Sequence, residues 1–274
     1  MRGIASQLEP AGTAVSEMRR CGIVGESCKA ALSLVRSPAV WIPAMLLVGL
    51  TLVFRLTDID TACVRPFFAG VEAGEQLHDR WPSMDAQPWK TLYDWGVYPA
   101  WILGCGGMAV WIVSFFWTKL ERWRDPGLFY ALLLIVGPGL LVNVLLKPCW
   151  SRPRPHATVA FGGDREFLPV WDLGSGQDDS SFPSGHAAMG FYLMAPAVVF
   201  CRRRPRLALA FLLLGLLSGS VIGLARMVAG SHFPSDVLWS GGFIYFTALL
   251  IAAPFGFWRE SSSRTPHAPR EGDR

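Results

Sequence analysis

Two histidines and three strong cations in the C-terminal half of the chain have the types and spacing for chemistry on a phosphate. His232 and Asp236 stand four residues apart. On a helix they would share one face. There the carboxylate can bond one imidazole nitrogen, fix the tautomer and leave the other nitrogen as a nucleophile. His186 closes the run Pro183-Ser184-Gly185-His186 in front of an apolar stretch, placed to give a proton to a leaving oxygen. Lys147, Arg154 and Arg226 supply positive charge. Guanidinium forks pair with phosphate oxygens bidentately, and lysine adds a point charge. Ser184 and Gly185 open a helix whose first backbone N–H groups attract an anion, and Gly185 has no Cβ to hold a ligand off the backbone. Attack on a phosphate monoester by such a set gains most from positioning and charge neutralisation. It calls for no metal and no cofactor.

Singly, each of these has a plainer reading. A Ser-Gly pair before a histidine is commonly a capped helix start. A His/Asp pair is commonly a structural hydrogen bond or part of a metal site. Lys147 or Arg152 at a helix end can snorkel to headgroups, and Arg226 can be a topology residue. The six cysteines are scattered and include no C-x-x-C pair, which argues against a zinc or redox framework. What gives the polar set meaning is its order and the side of the molecule it shares, and both depend on the elements that carry it.

Composition points to lipid as the surrounding solvent. Of 274 residues, 51% are hydrophobic and only 17% charged, against roughly a quarter charged in a soluble domain. The net charge of +4 is modest and its positives are clustered, so they report topology, and nucleic acid is not an expected partner. A spanning helix takes roughly 20 mostly apolar residues, and about six segments qualify. They are Val40–Leu56, Gly96–Trp117, Gly127–Leu146, Ala187–Phe200, Leu207–Leu224 and Val237–Trp258, the fourth being short and starting nearer His186. The expected fold is therefore all-α, a polytopic membrane helix bundle with about six transmembrane helices. Residues 1–38 read as a cytoplasmic tail without the order of a signal peptide, with a short amphipathic surface helix over Cys28 to Arg36. Residues 39–258 form the membrane domain, and 259–274 a second tail rich in Ser, Pro and charge, expected to be disordered.

Orientation follows from the short loops. Lys119, Arg122 and Arg124 follow the second segment, and Arg202, Arg203, Arg204 and Arg206 follow the fourth. With Arg19, Arg20, Lys29, Arg36 and Arg259 they fall on one side of an alternating bundle, the inside. Between Thr57 and Trp95, Asp58, Asp60, Glu72, Glu75, Asp79, Asp85 and Asp94 outnumber Arg65, Arg80 and Lys90. Both termini are expected inside. The polar clusters 147–155, 183–186 and 225–236 then meet at the outer face at similar depth, where ionisable residues are functional candidates.

Together the clusters resemble the tripartite signature of the type 2 phosphatidic acid phosphatase superfamily: Lys, six residues, Arg-Pro; then Pro-Ser-Gly-His; then Ser-Arg, five residues, His, three residues, Asp. Lys147 to Arg154-Pro155 matches the first part, Pro183 to His186 the second, and Arg226, His232 and Asp236 the third. Ala225 stands where the family has serine, which removes one hydroxyl near the phosphate. The resemblance implies an integral-membrane phosphatase that hydrolyses a phosphate monoester or pyrophosphate on a membrane lipid, metal-independent, with its site at the periplasmic face of a bacterial inner membrane. In it His232 would form a phosphohistidine, Asp236 would orient it and His186 would protonate the leaving group. Lys147, Arg154, Arg226, Ser184 and Gly185 would hold the phosphate. The ArgProArgPro run, Phe161-Gly162-Gly163 and SFPSGHAA further resemble bacterial lipid A phosphatases.

Arg152 also precedes a proline, and phosphate or headgroup binding stays open for it. The family spacing favours Arg154. Cys63 and Cys149 are the cysteines expected outside; two unpaired thiols are expected, with a disulfide the alternative. The acidic loop from Phe161 to Asp179 is expected to be solvated, with recognition of sugar hydroxyls, as on a lipid A-type headgroup, the alternative. The rival functions are a lipid phosphoryl transferase, an anion-binding transporter and a non-catalytic lipid-binding protein. Polar clusters at helix ends instead of mid-span count against the transporter.

Overall fold

A computed structural model describes residues 37–74, 76–175 and 180–258. The surface helix expected at Cys28 to Arg36 and the tail 259–274 lie outside the described residues. Among those described the chain is helical, and extended backbone pairs in a single bridge between Thr158 and Arg165. The helices used below are α1 (Pro38–Leu56), α2 (Ile59–Val64), α3 (Trp89–Trp95), α4 (Tyr98–Val113), α5 (Arg124–Leu134), α6 (Gly185–Tyr192), α7 (Ala195–Phe200), α8 (Pro205–Val228) and α9 (Pro234–Ala252).

Five stretches are long and apolar enough to cross a membrane: Pro38–Leu56, Trp89–Val113, Thr118–Ala157, Pro205–Val228 and Pro234–Ala252. Large apolar side chains on their outer faces stay uncovered, among them Met45 (70% exposed) and Ile102 (73%). Water does not tolerate such continuous apolar faces and lipid does. The protein is an integral membrane protein. The expected sixth span is different. Gly185–Phe200 is a shorter apolar helix, and at about 1.5 Å per residue it reaches roughly 24 Å, less than the ~30 Å of hydrocarbon. It breaks between α6 and α7, where Leu193 and Met194 bond back only three residues and Pro196 has no N–H to continue the ladder.

Two local features aim the site. Beyond α5 the helix continues through wider π-type turns over Ile135–Leu146, with Pro138 inside. A proline lacks the N–H and crowds the preceding turn, and a widened turn relieves both; the Asn143 side chain amide donates to the Pro138 carbonyl at 2.7 Å. That helix runs on to Trp150 and stops at Ser151, which takes the left-handed conformation (φ 45°) and turns the chain back across the bundle end.

The core lies between α5, α6 and α9. Helix α6 seats closely on α8: a Cβ on Gly190 would sit 2.7 Å from the Gly219 Cα. Without a hydrophobic drive between helices in lipid, such backbone approach is what gains packing energy. A second small core of Val64, Trp81, Phe161 and Phe233 lies under the loops at the end of the bundle that carries Ser151.

Candidate active site

The three polar clusters are tied to one another by hydrogen bonds. The Ser181 N–H donates to the Arg152 carbonyl (2.8 Å), the Arg152 N–H to Ser180 Oγ (3.2 Å) and the His156 N–H to the Gly230 carbonyl (3.0 Å). Residues 147–156, 180–186 and 226–236 thus form one unit at one end of the bundle.

His232 is buried (1% exposed), and its Nδ1 lies 2.6 Å from the Ser181 carbonyl. A carbonyl only accepts, so Nδ1 carries the hydrogen and Nε2 holds the lone pair. Asp236 does not make this bond: its Oδ2 is 3.7 Å from Nδ1, beyond hydrogen-bonding reach, and accepts the Phe233 N–H at 2.7 Å. The expected shared helix face is absent because α9 begins at Pro234. His232 sits in the turn before the helix, and Asp236 is its third residue. Burial first, then the charges of Arg226, Arg154 and Lys147, hold the His232 imidazolium well below its ordinary range, with the Ser181 carbonyl opposing.

The other oxygen of Asp236 belongs to Arg152. This guanidinium is fully buried and donates from Nη1 to Asp236 Oδ1 and to Ser235 Oγ (2.8 Å), from Nη2 to Asp60 Oδ2 (2.8 Å) and from Nε to the Leu168 carbonyl (2.8 Å). The Phe233 ring lies 4.6 Å from its Cζ. Asp60, from α2, also accepts the Ser235 N–H (3.0 Å) and hydroxyl (2.6 Å). Burial pushes the Asp60 carboxyl up, Arg152 opposes this, and the Asp236 charge adds to it. So Arg152 is engaged behind the site, and its open assignment closes in favour of structure. The sequence carried no sign of Asp60, which was counted among the acids of an outer loop.

His186 opens α6, with the Tyr93 ring 5.5 Å away between centroids, and Arg226 Cζ lies 3.9 Å from the same ring. Tyr93, on α3, is thus a second residue the sequence did not single out; it holds a cation and an imidazole against one aromatic ring. After burial, the charges of Lys147, Arg154 and Arg226 bear on both imidazoles, and Arg226 and His186 share the Tyr93 ring. Ser184 is buried and its hydroxyl accepts the Ala187 N–H at 3.4 Å, capping α6. Gly185 packs against Asn143, whose Oδ1 would lie 2.7 Å from a Cβ placed there. Its small size serves the approach of two helices, where access for a ligand was expected.

Among the described residues no three His, Cys, Asp or Glu gather in metal-ligating proximity. Cys63 and Cys149 are exposed free thiols. Asp164 and Glu166 of the acidic loop are exposed as expected, and the backbone of the loop is strapped to the first cluster. Val159 N–H donates to the Arg165 carbonyl (2.8 Å), Arg165 N–H to the Ala157 carbonyl (3.0 Å) and Gly174 N–H to the Trp150 carbonyl (2.8 Å), with Phe161 and Val170 buried. Asp178 and Asp179 lie outside the described residues.

Residues 127–259 match the PAP2 superfamily. The segment holds all three clusters, while Asp60 and Tyr93 precede it. The chain is 38% identical over 142 residues to the lipid A 4'-phosphatase of Francisella tularensis subsp. novicida, covering 51% of this chain and 63% of that one. It is 39% identical over 121 residues to the lipid A 4'-phosphatase of Rhizobium leguminosarum (43% and 50%). It is 34% identical over 128 residues to the lipid A 1-phosphatase of Rhizobium johnstonii (46% and 47%). The matched stretch spans half to less than two thirds of the first of these relatives' own lengths. No solved structure matches the chain.

Proposed function

We propose that this PAP2-domain protein hydrolyses a phosphate monoester on a membrane lipid through a phosphohistidine on His232. The observation that carries the reading is the pairing of a buried imidazole, tautomer-locked by a main-chain carbonyl, with three cations whose charges also reach a second imidazole. The Nε2 lone pair of His232 attacks phosphorus as the ester P–O bond breaks, and the leaving alkoxide takes a proton from His186. His186 then removes a proton from water, whose oxygen attacks phosphorus as the P–N bond breaks; inorganic phosphate leaves and the electron pair returns to His232 Nε2. Lys147, Arg154 and Arg226 neutralise the phosphoryl oxygens, and no metal takes part. Burial first, and then the three cations, oppose a positive charge on His186; a bound phosphate dianion would offset the cations and admit the proton that the leaving oxygen needs.

Asp236 and Arg152 act through position. With Asp60 and Ser235 they pin the start of α9, so that the turn bearing His232 stays against Ser181. Ser184 contributes by capping α6 and Gly185 by its close packing, which together aim the first N–H groups of that helix at the phosphate. The working unit is residues 39–258, with the site at the periplasmic face of a bacterial inner membrane and both termini cytoplasmic. The printed names of the relatives favour a lipid A-type substrate. The names divide between the two phosphorylated positions, and we leave the position to experiment.

The test is phosphate release by the purified full chain from lipid A, phosphatidic acid, phosphatidylglycerol phosphate and undecaprenyl diphosphate, with and without chelator, wild type beside His232→Ala. Release from lipid A that survives chelator and is lost in the variant is expected, as is an acid-labile phosphoenzyme. Residual turnover in the variant, or a strict need for a divalent ion, overturns the mechanism.

A further inference from the structure

Three helical paths run from the histidine site to one cavity at the far end of the molecule. The helix through α5 begins beside Trp123 and ends at Trp150, next to the site cluster. The α6–α7 pair starts at the Ser184 cap and ends at Phe200. Helix α9 starts beside Asp236 and leads to Phe255. With 19 residues, α9 alone covers about 28 Å at ~1.5 Å per residue, close to the ~30 Å of a bilayer's hydrocarbon. Site and cavity therefore face opposite leaflets.

The cavity measures about 720 Å³ and is lined by Arg122, Arg202, Arg203 and Arg204, with Asp125 the only acid among the described residues. Its other wall is aromatic. Trp123 meets Phe200 edge-on with centroids 6.3 Å apart, and Phe255 stacks on Phe257 at 5.4 Å with the rings 3° from parallel. Arg202 Nη1 bonds the Trp258 carbonyl at 3.3 Å and Arg122 leans over the Trp123 ring at 5.8 Å, so both side chains are held along the rim. Orientation of the chain in a membrane asks for arginines in this loop. It does not ask for a concave aromatic wall beneath them. Among the described residues no histidine lines the cavity, and the chemistry its arginines and aromatic rings can do is binding.

We propose that this cavity binds an anionic phospholipid from the leaflet opposite the histidine site, its phosphodiester on the arginine rim and its upper acyl carbons against Trp123, Phe200 and the Phe255–Phe257 pair. Arginine pairs with phosphate oxygens bidentately, and basic pockets at helix ends are a recurrent form of headgroup recognition. The volume far exceeds a lone phosphate ion and falls in the range of pockets that enclose drug-sized molecules. The proposal rests on the membrane-spanning fold and does not need the phosphatase reading.

Native mass spectrometry of the full-length His232→Ala protein, delipidated in neutral detergent, tests it with phosphatidylglycerol, phosphatidylcholine and inorganic phosphate as probes. Phosphatidylglycerol is expected to stay bound, phosphatidylcholine not, and millimolar phosphate is expected not to displace the lipid. Arg203→Gln or Arg122→Gln should weaken retention about fivefold each, from roughly 1 kcal/mol per arginine at a membrane surface. The combined Arg202, Arg203 and Arg204 to Gln variant should weaken it on the order of a hundredfold by the same constant. Arg226→Gln, at the other end, should leave retention unchanged, and turnover in the Arg122, Arg203 and triple Arg202, Arg203 and Arg204 variants made without His232→Ala should match wild type. Equal retention of the two lipids, retention indifferent to the arginine changes, or displacement of the lipid by phosphate overturns the proposal. If the triple variant does not fold, the single variants decide.

Discussion

Arg152 and Arg154 stand two residues apart in one ArgProArgPro run, and the fold uses them in opposite ways. Arg152 is fully buried between Asp60 and Asp236, its donors engaged with protein oxygens. Arg154 is only partly buried, and its charge reaches the imidazoles of His186 and His232. One faces the scaffold behind the site and the other the space in front of it. The proline between them fixes φ and favours extended backbone before it, so alternate side chains point to opposite sides. What the comparison teaches is that residue type alone does not tell a ligand-binding cation from a structural one. The partners do, and a buried guanidinium with two carboxylates has no positive charge left to offer.

The sharpest break of the comparison lies in front. His232→Ala should lower kcat by at least about a thousandfold with little change in melting temperature, since removal of a nucleophile costs that much or more. The two arginines should then part company. Arg154→Gln should cost on the order of a hundredfold or more in kcat/KM, the scale of one lost donor to developing charge, and leave thermal unfolding nearly unchanged. Arg152→Met should instead cost about 3–5 kcal/mol of stability, because two buried carboxylates lose their counter-ion. If Arg152→Met keeps its melting point and loses only activity, the division between back and front is wrong.

Smaller changes sharpen the division. Asp60→Asn puts an amide N–H where Asp60 Oδ2 now accepts from Arg152 and Ser235, or, flipped, where Oδ1 accepts the Ser235 N–H. Either arrangement leaves donors facing donors, at about 1–3 kcal/mol. A fall in kcat of about tenfold with KM unchanged is expected if that loosening reaches His232. The smallest effect is a titration. Because burial and the nearby cations depress the His232 imidazolium, the ring should stay neutral as pH falls through 6.5, the ordinary midpoint of a histidine. Histidine-selective 15N spectra in micelles would show it, and Arg226→Gln should move the protonation upward by removing one opposing charge. An ordinary titration of His232 in the wild type would contradict its burial among cations.

Much of the fold was legible because a bilayer imposes one length and one chemistry on each span. Five of the expected segments are long helices; the sixth was already short in the sequence and is broken at 193–194. The stretches that bring His186 and His232 together with Lys147, Arg154 and Arg226 were legible as well, since fixed spacing within short segments carries them. The bonds of the buried network were not. The four-residue interval from His232 to Asp236 promised a helical face, yet Pro234 sits where a helix begins, and Phe-Pro-Ser-Asp is a helix-start pattern with an acid in the first turn. Read that way, it would have assigned Asp236 to the helix start and away from the imidazole. Asp60 and Tyr93 carried no local signal at all: the first is 92 residues from Arg152 in sequence, and only the folded bundle brings it near.

The contact between Asp60 and Arg152 has a bearing on how the protein can be cut or recombined. A fragment made of residues 127–259 alone would hold each signature position and still be deprived of one carboxylate that neutralises its innermost guanidinium, and of the aromatic ring shared by Arg226 and His186. Chimaeras that exchange the leading helices between related proteins should work only when acid and arginine travel as a pair, which makes the N-terminal helices a matched component of the protein and not an interchangeable anchor.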